Sequence, residues 1–523
     1  ASDVYKRQIY TFDLEDRTDA LSCKIFVSQK MNDRVRLLRN GIAVQVEGVL
    51  NYDDYAHDDV FTINSLKDAV VSKRIDTAYE KRIELELHTK MTNLDGFVDN
   101  NDILSVLNDW EWDAIGITDT ETLQGLPDLY DSISKSGKKM LPGAELLLVE
   151  DELRILTNLS DKEVPKIHDI KDCEFVVFDL ETTGLSRFQD KITEIGAVRV
   201  KNGEITEEFN ELVNPEQIIP EKIIELTGIT NEMVMDKPKI DKVLPKFLEF
   251  AKDTILVGQN SDFDIGFVKE NAKILGLDFA PIYMDTLPMA RALFTDMGRF
   301  SLDKIARKLN IPSFNHHRAS DDARATAQIF IKMYPMIMEQ ELNLASINTL
   351  DTEYPKSKYE NFSVTVFAKD ETGLKNLYKL ISKSRMENFN SEAKTPISLL
   401  KEYREGLLIG SGGHDGILFK SLLNDYSKDK IEDLLELFDF LQVEPLGIFA
   451  DEVNNGRMRD YNQAIEIIKR IIELGKEYDK TVVATGGVRY LKADDYILRN
   501  ILHKGQYFKY HENEPLYLSL IHI

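Results

Sequence analysis

The chain has 523 residues, 43 % of them apolar and 30 % charged, which is a soluble globular composition with length for three or four domains of about 100–200 residues, each with its own core. Its 65 Lys and Arg against 90 Asp and Glu give a formal charge of −25. That argues against a protein coated in nucleic acid, because phosphate binding wants a basic surface, but leaves room for an enzyme whose acidic cleft holds metal ions. No run approaches the ~18 apolar residues of a membrane helix, nothing at the start reads as a signal peptide, and the two cysteines, Cys23 and Cys173, cannot make a disulfide framework; a reducing, cytoplasmic setting with no membrane partner is expected.

The two ends are set aside. Residues 3–8 (Asp3-Val4-Tyr5-Lys6-Arg7-Gln8) and 518–523 (Leu518-Ser519-Leu520-Ile521-His522-Ile523) read as translations of a transposon end from a sequencing library, on opposite strands, and the chain is expected to be a piece of a longer one. Residues 9–78 read as short strands, Ile9–Leu14, Leu21–Val27, Ile42–Leu50 and Val60–Ile63, with alternation visible in Ala43-Val44-Gln45-Val46-Glu47-Gly48-Val49. Several short strands in so few residues predict a small OB-like β barrel, without the interleaved aromatic and basic residues that single-strand binding needs.

From Ile83 the texture becomes α/β. Strands at Ile83–Leu87, Ala114–Thr118 and Lys139–Leu141 alternate with helices near Asn100–Asn108 and Gly125–Ser136 over residues 79–165. The same texture returns over 343–500, with strands Phe362–Ala368, Gly406–Ile409 and Thr481–Thr485 and the long amphipathic helix Tyr461–Glu477. Between them, residues 170–342 have their own strand order.

That middle block carries the chemistry. Phe175-Val176-Val177-Phe178-Asp179-Leu180-Glu181-Thr182-Thr183-Gly184 is an apolar strand ending in two carboxylates, and the period of two puts Asp179 and Glu181 on one face. A strand at Ile192–Val200, the type I′ turn signal Asn202-Gly203 and a strand at Glu204–Leu212 follow as a hairpin, and later strands at Thr254–Val257 and Pro281–Met284 complete an α/β sheet with an antiparallel edge. Gly258-Gln259-Asn260-Ser261-Asp262-Phe263-Asp264 opens a helix at Ile265–Leu275, and His317-Arg318-Ala319-Ser320-Asp321-Asp322 runs into a helix at Ala323–Met333. Taken singly, an Asp-x-Glu is usually solvated surface and acidic residues at a helix start are usually dipole compensation.

Together, in this order and spacing and with Leu226-Thr227-Gly228-Ile229-Thr230 between them, these segments resemble the DEDDh branch of the 3′→5′ exonuclease family, an RNase H-like fold. The resemblance implies that Asp179, Glu181, Asp264 and Asp322 hold two divalent cations, Mg or Mn, and that His317 is the general base. It further implies that the terminal nucleotide lies against Thr182, Thr183, Gly184, Asn260 and Phe263. The residue types suit phosphodiester hydrolysis, since hard cations want oxygen ligands, two of them about 4 Å apart stabilise attacking, leaving and phosphoryl oxygens, and imidazole titrates near neutrality. Gln259 stands where relatives often carry His.

The flanking halves resemble a PHP domain, a metallo-phosphoesterase fold. Its His-x-His is Glu86-Leu87-His88 here, its Thr-Asp-His is Thr118-Asp119-Thr120, its later Glu is Glu145, and its Gly-Asn-Val-His-Tyr is Gly486-Gly487-Val488-Arg489-Tyr490. Thr and Arg are poor metal ligands and Arg carries a permanent charge, so Glu86, His88, Asp119, Thr120, Glu145 and Arg489 are expected to form a degenerate, structural site. The whole order, with Gly373–Leu380 and Tyr403–Ser411, resembles the N-terminal part of the PolC-type DNA polymerase III of bacteria. This implies a proofreading exonuclease acting on the 3′ end of a DNA primer–template, and a polymerase region of which residues 501–517 are the start. It also implies contacts to a sliding clamp and the replisome through segments this chain lacks. The competing readings are a free-standing DEDDh exonuclease for RNA or DNA, a non-catalytic DNA-holding scaffold, and a PHP phosphoesterase, which Thr120 and Arg489 disfavour.

Overall fold

A computed structural model describes residues 9–505 apart from 16–19, 28–34, 36–37, 39–41, 56, 70–75, 161, 315 and 492–494. The terminal segments 3–8 and 518–523 lie outside the described residues, as does the part of 501–517 beyond Gly505, where the helix Tyr496–Gly505 ends. The described residues up to Lys81, with Asp109–Glu111, make one compact unit, and Arg82–Asn108 with the chain from Trp112 make another.

In the first unit β1 (Ile9–Glu15), β2 (Ala20–Phe26), β3 (Val44–Asp53) and β4 (Asp58–Asp68) form one sheet in the order β1-β2-β4-β3. Two antiparallel pairs, β1/β2 and β3/β4, are joined through a parallel β2/β4 contact. Cys23, Ile25, Val35, Ile63 and Leu66 make its core. A closed barrel is not what forms among the described residues: β1 and β3 are the two edges and do not pair. Alternation reports which face of each strand is buried; the register and order that decide closure depend on pairings far apart in sequence.

In the second unit the two flanking halves share one sheet. β5 (Ala114–Ile117) and β6 (Lys139–Val149) come from the first half; β13 (Phe362–Ala368), β14 (Phe389–Asn390), β15 (Glu392–Pro396) and β16 (Leu407–Ile409) come from the second. The order is β14-β15-β6-β13-β16, with β5 parallel to the start of β6. β17 (Phe440–Val443) and β18 (Thr481–Ala484) pair in parallel beside it. The strand expected at Ile83–Leu87 is reduced to bridges at Leu87, to Ile117 on one side and Val488 on the other.

The middle block folds around β7 (Leu156–Asn158), β8 (Phe175–Thr182), β9 (Ile192–Lys201), β10 (Glu204–Leu212), β11 (Ile255–Gly258) and β12 (Ile282–Asp285), in the order β10-β9-β8-β11-β12-β7. β10, β9 and β8 are antiparallel and β8, β11 and β12 parallel, the RNase H-like arrangement. Asn202 and Gly203 both have positive φ, 55° and 74°, as a type I′ turn requires. β8 is apolar from Phe175 to Phe178 because both faces are covered. Phe175 and Val177 pack against Phe330 and Tyr334 of the helix Ala319–Met338, while Val176 and Phe178 pack against Phe247 and Phe267. Each such side chain contributes roughly 1.5–3 kcal/mol of burial. β7, which the sequence places in the first flanking half, adds antiparallel to β12. Among the described residues no helix is long and apolar enough to cross a membrane.

Candidate active site

Asp179 and Glu181 project from the end of β8 on the face that carries the helix Ala319–Met338. In register, Asp179 lies opposite Gly196 and Glu181 opposite Glu194. Gly196 has to be glycine: a Cβ there would lie 2.2 Å from the backbone of Ala319 and Ser320. Its absence lets the helix start settle directly over the strand, bringing Asp322 in the first turn and His317 in the preceding loop onto the acidic pair. Carboxylate oxygens of Glu181 and Asp322 and a ring nitrogen of His317 all lie within 4.8 Å of one another. Asp264 enters from the first turn of the helix Asp262–Leu275, and its Oδ1 accepts the Leu180 N–H at 3.1 Å.

The electrostatics follow from crowding acids in a poorly solvated place. Burial first, then Asp264, Asp322, Glu181 and Glu194, holds Asp179 well above the usual carboxylate range. Burial, with Asp322 and Glu194 and against Arg318, pushes Glu181 up to about 8. Burial also raises Asp264, where the Leu180 N–H opposes it and Asp285 and Glu181 add to it. Asp322 is raised by burial against the His317 N–H, which donates to its Oδ2 at 2.9 Å. Its Oδ1 is buried with no hydrogen-bond partner. An oxygen-only set of converging carboxylates with an orphaned oxygen fits hard divalent cations, whose charge would let all four acids ionise.

The residues that support this cluster carry no motif in the sequence. Arg318 grips Glu194 with two hydrogen bonds, 2.7 and 3.1 Å, and the Ala319 N–H donates to the same carboxylate at 3.0 Å; this clamps the His317 loop, where His317 itself has φ 63°. Asp285 accepts the N–H groups of Asn260 (2.9 Å), Ser261 (3.1 Å) and Leu287 (2.8 Å), and burial holds it at about 6 against those bonds. His316 sits 2.6 Å from Asp303 and 3.6 Å from Asp322. One signal does point to them: Glu194 is the charged residue within the buried run Ile192–Val198 of β9, and such a residue demands a partner.

The remaining expected positions divide. Gln259 turns inward, donating to Phe300 O at 3.3 Å and accepting from Thr286 Oγ1 at 2.5 Å, so it takes no ligand's place. The Thr182 and Thr183 hydroxyls are taken up within the protein, by Gly184 O (2.6 Å) for Thr182, and by Asp190 (3.3 Å) of the same loop and Gln217 (2.5 Å) beyond β10 for Thr183. Asn260 is exposed, with φ 60°, and Phe263 packs on Phe267 at 5.0 Å.

At the second cluster, Glu86, His88 and Glu145 also bring ligand atoms within 4.8 Å. Thr120 Oγ1 donates to Glu145 at 2.6 Å and lies 3.4 Å from His88 Nδ1. Asp119 stands apart, its carboxylate taken up by Thr89 N, Thr89 Oγ1 and Thr92 Oγ1 at 2.6–2.9 Å. Arg489 brings a guanidinium 3.9 Å from Glu145 and 2.8 Å from Asp95. Burial and that guanidinium push His88 down to about 4, so a neutral imidazole, its Nε2 buried with no hydrogen-bond partner, faces a fixed cation. A third cluster, His414, Asp415 and Glu452, carries its own cations: Lys420 reaches Asp415 (3.2 Å) and Glu452 (3.6 Å), and Arg457 reaches Glu452 (2.8 Å).

Comparison with known proteins supplies the family. Residues 176–330 match the Exonuclease family (RNase_T) and residues 284–482 match the PHP domain family. The PolC-type DNA polymerase III of Caldanaerobacter subterraneus subsp. tengcongensis is 37 % identical over 492 residues, 92 % of this chain and 34 % of that protein. That of Clostridium perfringens is 35 % identical over 529 residues, 98 % of this chain and 36 % of that protein. The chain therefore spans about a third of the length of these curated relatives. Among solved structures, exonuclease X in complex with 5′ overhanging duplex DNA is 25 % identical over 34 % of this chain and 98 % of its own, with a TM-score of 0.27. The nuclease domain of 3′hExo, a DEDDh family member bound to rAMP, is 20 % identical over 34 % of this chain and 95 % of its own, with a TM-score of 0.28. Over 92–98 % of its own length the chain is similar to PolC-type DNA polymerase III proteins, and it matches the Exonuclease and the PHP domain families in one polypeptide.

Proposed function

We propose that the chain is the proofreading 3′→5′ exonuclease portion of a bacterial replicative polymerase of the PolC type, hydrolysing the 3′-terminal phosphodiester of a DNA primer and releasing nucleoside monophosphates. What supports this reading is that ligand atoms of Glu181, Asp322 and His317 lie within 4.8 Å of one another at the end of β8, with Asp264, Asp322 and Glu181 all acting on the buried Asp179. The four carboxylates would hold two divalent cations, Mg or Mn, which when bound supply charge stabilisation at the phosphoryl oxygens and acidify the attacking water. His317 takes the proton from that water at its imidazole. The Glu194–Arg318 clamp keeps the imidazole loop over the acidic pair. The backbone of Thr182–Gly184 and the side chains of Asn260 and Phe263 orient the terminal nucleotide.

The test is trimming of a 5′-labelled primer with a mismatched 3′ end. The wild-type chain is expected to shorten it, EDTA to stop the reaction, Mg²⁺ to restore it, and Asp179→Ala/Glu181→Ala to reduce release to background; undiminished release by that double variant would sink the assignment. Faster trimming of RNA than of mismatched DNA would favour a free-standing exoribonuclease instead. In the same reading the PHP cluster binds no metal, Arg489 supplying its positive charge. Clamp and replisome contacts fall to polymerase segments that the longer relatives possess, and the reaction belongs in the bacterial cytoplasm.

A further inference from the structure

The loop between β8 and β9, residues 183–191, is closed on Asp190. Its carboxylate accepts the Ser186 N–H at 2.8 Å and the Thr183 hydroxyl at 3.3 Å, and the Lys191 N–H donates to Thr183 Oγ1 at 3.0 Å. Gly184 packs on the same carboxylate, where a Cβ would stand 2.5 Å from it. A shift of Ser186 therefore carries Thr183 and Gly184 with it. What holds Ser186 is the second flanking half. Its buried hydroxyl donates to Gly456 O at 2.7 Å while accepting the Gln189 N–H at 3.2 Å, and the Gln189 side-chain amide reaches Val453 O at 3.5 Å. Gly456 has φ 65° and lies so close that a Cβ would stand 2.6 Å from Ser186 Cβ and closer still to its Oγ. Glycine is needed there on both counts.

The turn that bears Gly456 is itself fixed by the cluster of His414, Asp415 and Glu452. The N–H groups of Arg457 and Met458 both donate to Glu452 O at 2.8 Å. The Arg457 and Lys420 side chains hold the buried Glu452 carboxylate at 2.8 and 3.6 Å, and Lys420 also reaches Asp415 at 3.2 Å. The His414 imidazole bridges Asp415 (3.2 Å) and Glu444 (3.0 Å), the residue that follows β17. Burial opposes the charged imidazole, but Asp415 and Glu444 outweigh it and raise His414 to about 9. A buried ionic network adds little net stability; what this one does is set the place of a turn against the loop after β8.

We propose that the second flanking half is part of the exonuclease's substrate site: through Gly456 it sets the position of the 183–191 loop, with Ser186 as the positioning residue, so that the backbone of Thr182–Gly184 meets the terminal nucleotide in register for hydrolysis. The inference rests on the exonuclease reading for what the loop orients; the contact between Ser186 and Gly456 does not depend on it.

The experiment compares the whole chain with its Gly456→Ala, Ser186→Gly and doubly substituted variants in two readouts. The first is single-turnover trimming of a mismatched primer with chain and Mg²⁺ saturating. Gly456→Ala is expected to slow it by a factor between about ten and a hundred, the penalty of displacing an orienting group by ~1 Å, and to leave the half-saturating Mg²⁺ concentration unchanged, because no carboxylate moves. Ser186→Gly makes room for the new Cβ, so the double variant is expected to trim as fast as Ser186→Gly alone. The second readout is amide hydrogen exchange: Gly456→Ala is expected to speed exchange in 183–191 and to leave 175–181 protected. A merely structural Gly456 would lower the melting temperature and leave the saturated rate of the folded chain as it is. If Gly456→Ala does not fold, Ser186→Ala/Gln189→Ala removes both hydrogen bonds without adding an atom and is expected to slow trimming about tenfold. Wild-type trimming by the folded variant, unchanged exchange in the loop, or a double variant as slow as the two single losses multiplied would each overturn the proposal. If the wild-type chain trims no primer while Gly456→Ala still loosens the loop, the exonuclease reading falls and the positioning contact stands.

Discussion

Arg489 stands where the resemblance leads one to expect an imidazole, and its surroundings treat it as a built-in counter-ion. Its guanidinium faces Glu145, Glu86 and Asp95 from a buried position. Arg499 also reaches Asp95, at 2.6 Å. Removing one partner from a buried ionic group leaves the others uncompensated, which costs about 3–5 kcal/mol. Arg489→Ala is therefore expected to lower the urea unfolding free energy by about that amount, and a change below ~1 kcal/mol would show that the acids do not depend on it. Glu194 with Arg318 is the corresponding pair at the exonuclease site, where the same physics serves to hold a loop in place.

At the scale of elements, the proposed active site is an arrangement of a strand end against two helix starts. β8 delivers Asp179 and Glu181, while the helices Asp262–Leu275 and Ala319–Met338 deliver Asp264 and Asp322. What sets their spacing is the contact between β9 and the second helix at Gly196. Gly196→Ala is expected to leave the secondary structure intact by circular dichroism, to cost about 1–3 kcal/mol of overpacking, and to slow primer trimming about a hundredfold, the penalty of moving reacting groups by ~1 Å. Trimming at the wild-type rate would mean that the helix start can shift without carrying Asp322 and His317 with it.

At the scale of the whole molecule, the hydrophobic core on one face of β8 reaches beyond residues 170–342 on both sides. It takes in Leu153, Ile155 and Leu156 before them and Leu344, Ile347 and Leu350 after them. Asn348 stitches the two extensions together, accepting from the N–H groups of Ile155 (3.0 Å) and Leu156 (2.8 Å) and donating to Leu156 O (2.8 Å). Six buried aliphatic side chains at roughly 1.5–3 kcal/mol each are comparable with the whole stability of a domain, about 5–15 kcal/mol. A recombinant 153–350 segment is expected to show a cooperative thermal transition, and 170–342 to show none or one at least ~10 °C lower, a shift of the size that a few kcal/mol of lost burial gives.

The amino-acid order by itself determined what is local. The alternation in Phe175–Glu181, the Asn202-Gly203 turn and the acids at two helix starts name the ligand candidates, because strand period, turn chemistry and helix capping act over a few residues. The tertiary structure alone decided the rest. It left the N-terminal sheet open among the described residues, added β7 to a sheet whose other strands begin some way downstream, paired Glu194 with Arg318, and gave Arg489 its acids. Each of these depends on which strands lie side by side and which side chains meet across the fold. That outcome is set by the balance of burial and chain entropy over the whole molecule, and no window of sequence contains it.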